Sequence, residues 1–308
     1  MKIIITGACG HIGSYVSENI HKIKKVNELI LIDNFNSQRY SSIFNLKNKI
    51  NTKFYQMDVS KKNSLNMFKK IDLVIHCASL TNAEGSFNVK KEMFRNNLDC
   101  MNNVIDYCVK SKSKLIHISS TSVYGKQVKL VNEDDDYFLK PQSPYAEIKL
   151  LEEKMLKKNK KKLKYMSFRF GTIAGVSRGM RFHTAINKFC LNAALNQNIE
   201  VYKTAYNQYR PYLSVKDAFK VFKFCIEKNI FNNDVYNVLS GNFTVKQIIN
   251  IIKKFRKKIK IKFVKSKIMN QLSYFVDDKK IKKLGLVLNF KIENDIKETL
   301  KLFKYLKK

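Results

Sequence analysis

Short, unbroken apolar runs alternate with amphipathic stretches through the first 170 residues. The runs fall at Lys2–Thr6, Glu28–Asp33, Lys53–Met57, Leu73–Ala78, Lys114–Ser119 and Tyr165–Phe170. Two of the intervening stretches, Asn97–Lys110 and Ala146–Lys158, carry helical periodicity. Strand and helix in alternation, with short connections, predict an α/β fold: a doubly wound parallel sheet of the Rossmann type, covered on both faces. Ligands of such sheets bind at the carboxyl ends of the strands. After Phe170 the rhythm changes. Gly171 to Gly179 reads as a loop, His183–Asn196 as a helix and Glu200–Tyr202 as a short strand. Val215–Lys228 reads as a helix returning to the main body, and Thr244–Phe255 as a helix opened by a threonine cap. The tail from Ile281 to Lys308 reads as mostly helical. This rhythm predicts a main domain from residues 1–171 and 211–240, and a smaller α/β lobe from 172–210 and 241–308.

Composition narrows the class. The 308 residues are 44% hydrophobic, ample for a buried core, and no stretch approaches the ~20 apolar residues of a membrane span. The first strand begins within two residues of Met1, leaving no room for a leader, so a cytoplasmic protein is expected. Cys9, Cys77, Cys100, Cys108, Cys190 and Cys225 are scattered without a C-x-x-C pair, which fits reduced core thiols. The five histidines are isolated as well, and no metal site is expected. The net charge of +34 raises the question of a polyanion partner. Yet the lysines are spread widely, arginine is scarce, and the excess of Lys, Asn, Ile, Phe and Tyr has the character of AT-rich coding drift. The densest basic run, Lys157 to Lys164, lies between a predicted helix and strand and reads as a solvated turn. No aromatic–basic interleaving points to specific nucleic-acid binding.

Three of the ten glycines sit in Thr6-Gly7-Ala8-Cys9-Gly10-His11-Ile12-Gly13, directly after the first strand and opening a helix. A bare backbone there admits a phosphate closely, and the N–H groups and dipole of the helix start favour its charge. The second strand ends in Asp33, 20 residues after Gly13. A carboxylate at that point accepts hydrogen bonds from adenosine ribose hydroxyls and repels a 2′-phosphate, so NAD is expected rather than NADP.

Two of the three prolines bracket Lys140-Pro141-Gln142-Ser143-Pro144-Tyr145-Ala146-Glu147-Ile148-Lys149. Tyr145 and Lys149, four apart, share a helical face. An ammonium there stabilises a phenolate, which makes Tyr145 a candidate general acid/base. Upstream, Ile116-His117-Ile118-Ser119-Ser120-Thr121-Ser122-Val123-Tyr124-Gly125 places hydroxyls at the end of a buried strand, where one could bond a substrate oxygen as its charge changes.

Together these motifs resemble the extended short-chain dehydrogenase/reductase family, and within it the nucleotide-sugar epimerases and dehydratases of the UDP-glucose 4-epimerase type. The resemblance covers nearly the whole chain and is most specific in the first 170 residues. It implies NAD as cofactor, held by Gly7, Gly10, His11, Ile12 and Gly13, with Asp33 and Asn34 on the ribose and Asp58 and Val59 at the adenine. It further implies Cys77, Ala78 and Ser79 beside the pyrophosphate and nicotinamide ribose, with Asn97 supporting this region. Ser120, Tyr145 and Lys149 match the catalytic set, Tyr145 and Lys149 touching the cofactor too. Ser120, Thr121, Thr172 and Arg210 would meet the nucleotide-diphosphate sugar, Arg210 at the diphosphate. Homodimers through paired helices are common among such proteins, here Asn97–Lys110 and Ala146–Lys158.

The departures are informative. Dehydratases of this family carry an acidic pair where Thr121 and Ser122 stand, so the resemblance implies C4 epimerisation first. A dehydratase or keto-sugar reductase is the alternative, and a catalytically idle basic scaffold or nucleic-acid binder a remote one. Gly171-Thr172 and Thr81 replace residues common in the UDP-galactose group, which leaves the sugar and nucleotide open.

Overall fold

The computed structural model describes residues 1–46, 50–81, 85–127, 130–134, 136–265 and 274–306. Each apolar run forms a strand of one parallel sheet: β1 (Lys2–Thr6), β2 (Glu28–Asp33), β3 (Asn51–Gln56), β4 (Leu73–His76), β5 (Lys114–Ser120) and β6 (Tyr165–Phe170). A seventh strand, β7 (Asp234–Val238), extends the sheet beside β6. The order across the sheet is β7-β6-β5-β4-β1-β2-β3. The switch in direction lies between β1 and β4, the crevice in which this topology places ligands.

Successive strand residues point to opposite faces, so an unbroken Ile run requires cover on both. On one face Ile3, Ile5, Leu29, Leu31 and Ile75 pack with α1 (His11–Asn19) and α5 (Val215–Lys228). On the other, Ile4, Ile30, Ile32 and Val74 pack with α2 (Lys90–Ser111) and α3 (Pro144–Asn159). Ser143 caps α3, its hydroxyl accepting from Ala146 N at 3.2 Å, and Pro144 occupies the first turn, where a missing N–H costs nothing.

A separate apolar cluster joins α4 (Ala185–Ala194), α6 (Val245–Phe255) and α8 (Ile292–Lys301) to Ile199, Val201 and Tyr212. Three short strands, Thr172–Ala174, Tyr209–Ser214 and Gly241–Thr244, form a second sheet, and Asn198–Tyr202 pairs with Lys260–Val264. Thr244 does cap α6, in a reciprocal pair with Gln247.

The structure corrects several boundaries. α2 begins at Lys90 rather than Asn97, because its first turns carry polar residues around a single buried Met93 and so show no apolar period. β7 is too polar, with Asn237 wholly buried inside it, to stand out in the chain. The tail holds α8 and the short α7 (Lys279–Lys282), separated by a turn at Gly285, whose φ of 89° breaks the helix. Residues 307–308 of that expected helix lie outside the described residues.

Candidate active site

β1 ends in a left-handed Gly7, φ 66°, where the chain turns under the neighbouring strand end. A Cβ at Gly7 would lie 2.6 Å from backbone atoms of Cys77 and Ala78, and one at Gly13 would lie 2.2 Å from the Gly7 carbonyl oxygen. The turn therefore closes only with glycine at both places. Gly10 then opens α1 in an extended conformation, with no side chain capping the first turn and no acid in it. Those N–H groups face a cavity of about 390 Å³ lined by Gly7, Gly10, His11, Ile12 and Gly13.

The loop over residues 175–179 fixes this turn from behind. His11 donates from Nε2 to the Gly175 carbonyl at 2.8 Å, and Ser177 Oγ donates to the His11 carbonyl at 2.8 Å. Gly179 N donates to Ser14 Oγ at 2.8 Å, so close that a Cβ on Gly179 would meet the Cys9 carbonyl at 2.1 Å. Burial, aided by the Arg181 charge, pulls the His11 imidazole down to about 3, so it stays neutral as a donor.

At the end of β2, Asp33 accepts from Cys9 N at 2.9 Å and from Phe35 N at 2.9 Å, one bond on each carboxylate oxygen. Each oxygen keeps a second lone pair, so the residue that ties the glycine turn to β2 can still take a ribose hydroxyl. Asn34 follows on the surface, bonded to Asn36 N. Asp58 accepts from Ser60, and Val59 is buried against α2, where its carbonyl accepts from Asn103. These four stand along the same sheet edge but outside the walls of the main cavity. Asn97 is fully buried, and its amide bonds both backbone groups of Leu80, at 2.8 and 3.0 Å. It therefore shapes the loop after β4 and does not line the cavity. In that loop Cys77 and Ser79 reach the cavity wall, while Ala78 lies behind it against Gly7.

The catalytic candidates meet on the opposite wall. Ser120, Thr121, Tyr145, Lys149, Thr172 and Arg210 all line the same cavity. Ser120 Oγ accepts from Ser122 N at 3.2 Å and from Ser122 Oγ at 2.9 Å, which leaves its own proton to donate outward. Thr121 Oγ1 instead donates to the Phe170 carbonyl at 3.2 Å. Lys149 Nζ lies 5.8 Å from the Tyr145 ring centroid. Below it, Glu152 Oε2 accepts from Lys149 Nζ and from His117 Nε2, both at 2.8 Å.

Thr81, singled out in the sequence, lines the cavity, and so do four residues that sequence reasoning passed over: Arg39, His76, Arg181 and Lys188. Arg181 donates to Thr81 Oγ1, yet its Nε is buried without a protein partner. The Arg210 Nε, Tyr212 hydroxyl and Thr184 Oγ1 share that condition and line the same cavity. Buried donors without partners concentrated in one cavity mark it as the seat of a polar ligand.

The family comparison decides the class. The model for the NAD dependent epimerase/dehydratase family matches residues 3–238. The chain belongs to that family. NAD also fits the residues present: a turn bare enough for a diphosphate, free N–H groups at a helix start, and a carboxylate with open lone pairs at the end of β2. Curated relatives of the chain include the trifunctional UDP-glucose 4,6-dehydratase/UDP-4-keto-6-deoxy-D-glucose 3,5-epimerase/UDP-4-keto-L-rhamnose-reductase of Arabidopsis thaliana, 26% identical over 97% of this chain. The chain spans about half the length of that relative, 46%. The dTDP-D-glucose 4,6-dehydratase of Dictyostelium discoideum is 29% identical over 81% of this chain and 62% of its own. Among solved structures, UDP-glucuronic acid 4-epimerase from Bacillus cereus superposes with a TM-score of 0.90 at 22% identity, over 99% of both chains. UDP-N-acetylglucosamine 4-epimerase from Methanobrevibacter ruminantium gives 0.86 at 24% identity, over 98% of this chain and 97% of its own. These two share the fold. No helix among the described residues is long and apolar enough to cross a membrane.

Proposed function

We propose that this family member is a 4-epimerase of a nucleotide-diphosphate sugar, working through a transient 4-keto sugar. One observation carries the choice of epimerase over dehydratase. Around Ser120 and Tyr145 the described cavity wall offers hydroxyls, Thr121, Ser122 and Thr172, and no carboxylate. The one acid among the described lining residues, Glu200, is exposed on a strand of the second lobe. Water elimination needs an acid and a base to move the departing hydroxyl and its partner proton. Epimerisation needs a single acid/base that takes and returns one proton.

NAD, which the glycine turn and Asp33 would hold, would supply a reversible hydride acceptor. Tyr145, as phenolate beside the Lys149 ammonium, takes the proton of the sugar hydroxyl and later restores it. Ser120 donates its remaining hydrogen to the same oxygen as it becomes a carbonyl. Arg210 holds the diphosphate, a fixed point about which the keto sugar turns to present its other face. Thr172, facing the same space, contacts the sugar.

A nucleotide sugar deuterated at C4 tests this reading. The epimerase retains the label in both epimers and shows a primary isotope effect. Release of water with a keto or unsaturated product would establish a dehydratase instead, and stoichiometric consumption of NADH a reductase. Tyr145→Phe keeps its fold and bound cofactor and loses at least about a hundredfold in kcat.

A further inference from the structure

α3 carries two consecutive glutamates, Glu152 and Glu153, between Lys149 and Lys154. Both are buried, at 1% and 7% exposure. They divide the two buried cations of this region between them. Glu153 holds Arg169 of β6 in a fork, Nε to Oε1 at 2.9 Å and Nη2 to Oε2 at 2.7 Å, and accepts from Ser119 Oγ at 2.5 Å. Glu152 is left for Lys149, one turn earlier on the same helix, at 2.8 Å. Its Oε2 also accepts from His117 Nε2 on β5, while His117 Nδ1 bonds Ser167 Oγ on β6 at 2.9 Å. The carboxylate is thus clamped from the sheet side and presents its charge to the lysine.

We propose that Glu152 is a positioning residue for the reaction: its ion pair fixes the Lys149 ammonium beside Tyr145 and sets the pH window in which the tyrosine–lysine pair works. The proposal rests on the reading above, in which Tyr145 and Lys149 handle the proton.

The surroundings leave Glu152 as the carboxylate that faces Lys149 among the described residues. From β4 His76 faces the pair, but burial pulls it down to about 3 and keeps it neutral. Cys77, after β4, and Cys100, on α2, are each pushed up to about 12 by burial and stay protonated. Arg181 reaches toward Tyr145 from the second lobe, and the Glu153–Arg169 pair is neutral as a unit. Burial lowers Lys149, but the Glu152 carboxylate, then Tyr145, more than offset it and hold the ammonium above the usual lysine range. For Glu152 burial acts upward, and Lys149 and His117 override it, bringing the carboxyl to about 2. The pair is therefore ionised through the working range. Removing the negative charge makes proton loss easier for every group around it, so both limbs of a bell-shaped profile move the same way.

The test is Glu152→Gln in the full chain. The pH profile of kcat/KM for epimerisation should move as a whole to lower pH, by up to about three units for charges about 4 Å apart at an effective dielectric constant near 20. Glu152→Asp, which keeps the charge but retracts it, should move less in the same direction, and it decides the matter if the Gln variant fails to fold. In protein labelled with 13C at lysine Cε, the Lys149 signal, assigned by its loss in Lys149→Met, should titrate at lower pH in Glu152→Gln than in wild type. That titration needs no substrate, so it judges Glu152 even where no sugar turns over and the epimerase reading fails. A uniform loss of activity or stability, with the profile and the lysine titration unmoved, would overturn the proposal and leave Glu152 as packing alone.

Discussion

Asp295→Asn should stabilise the protein, and increasingly so as the pH rises. Asp295 lies in the first turn of α8 and is fully buried. Its Oδ1 accepts from Ser214 Oγ at 3.1 Å, whereas Oδ2 has no partner. Burial pushes its carboxyl up to about 8; the Ser214 bond and the Lys216 charge oppose this but do not overcome it. The native state therefore keeps a proton that the unfolded chain gives up near pH ~3.9. Because the native state binds more protons, stability falls as pH rises, by about 1.4 kcal/mol per unit between the two values. The stabilisation is full below the unfolded value and gone above about pH 8. Between about pH 5 and about pH 7.5 the wild type should lose about 3 kcal/mol that the asparagine variant retains. Asparagine has the shape of the protonated acid and keeps the acceptor for Ser214. Urea unfolding of both proteins across this range reads the difference, every other ionisation being common to the two. Equal stability at low pH and a variant that leads by several kcal/mol at high pH is the expected outcome. A constant gap, or a wild type that gains on the variant as pH rises, would refute the reasoning, since it would mean the carboxylate ionises in place.

Three further outcomes follow from the geometry. Gly7→Val puts a side chain at φ 66° and within 2.6 Å of the backbone at Cys77 and Ala78; the purified variant should carry little NAD by absorbance and melt several degrees lower. Arg169→Met leaves Glu153 buried without its partner and should cost about 3–5 kcal/mol in chemical denaturation, with Glu153→Gln in the same chain recovering part of it. Arg210→Ala should raise KM for the nucleotide sugar by about tenfold or more while bound NAD stays at wild-type level, as measured by initial rates and cofactor content.

The features legible in the sequence are those that local chain physics imposes. A glycine turn at the end of a strand needs Gly7 and Gly13 within a few residues, and the Tyr145–Lys149 pair needs only one helical turn, so both announce themselves in a short window. The apolar runs of β1, β2 and β4 are equally plain, because a strand covered on both faces leaves few polar positions to interrupt it. What escaped notice is built from distant segments. Gly179, Arg181 and Arg39 enter the site through loops whose residues carry no period, and only the fold brings them to the glycine turn. Glu152 escaped for a different reason. A Glu–Glu pair among lysines reads as a solvated face, and its burial follows from two cations, Lys149 and Arg169, that sit on different elements. β7 was hidden by its polar residues, of which Asn237 is satisfied inside the core by bonds to Tyr124 and the Asp277 carbonyl.

The most direct test of the central claim is proton NMR of the purified protein with a panel of UDP-, GDP- and dTDP-sugars and no added cofactor. The account predicts that one sugar converts to an equilibrium mixture with its C4 epimer, driven by NAD that remains bound through purification. A protein that carries NAD and still leaves every sugar unchanged, or that yields a dehydrated product, would contradict it.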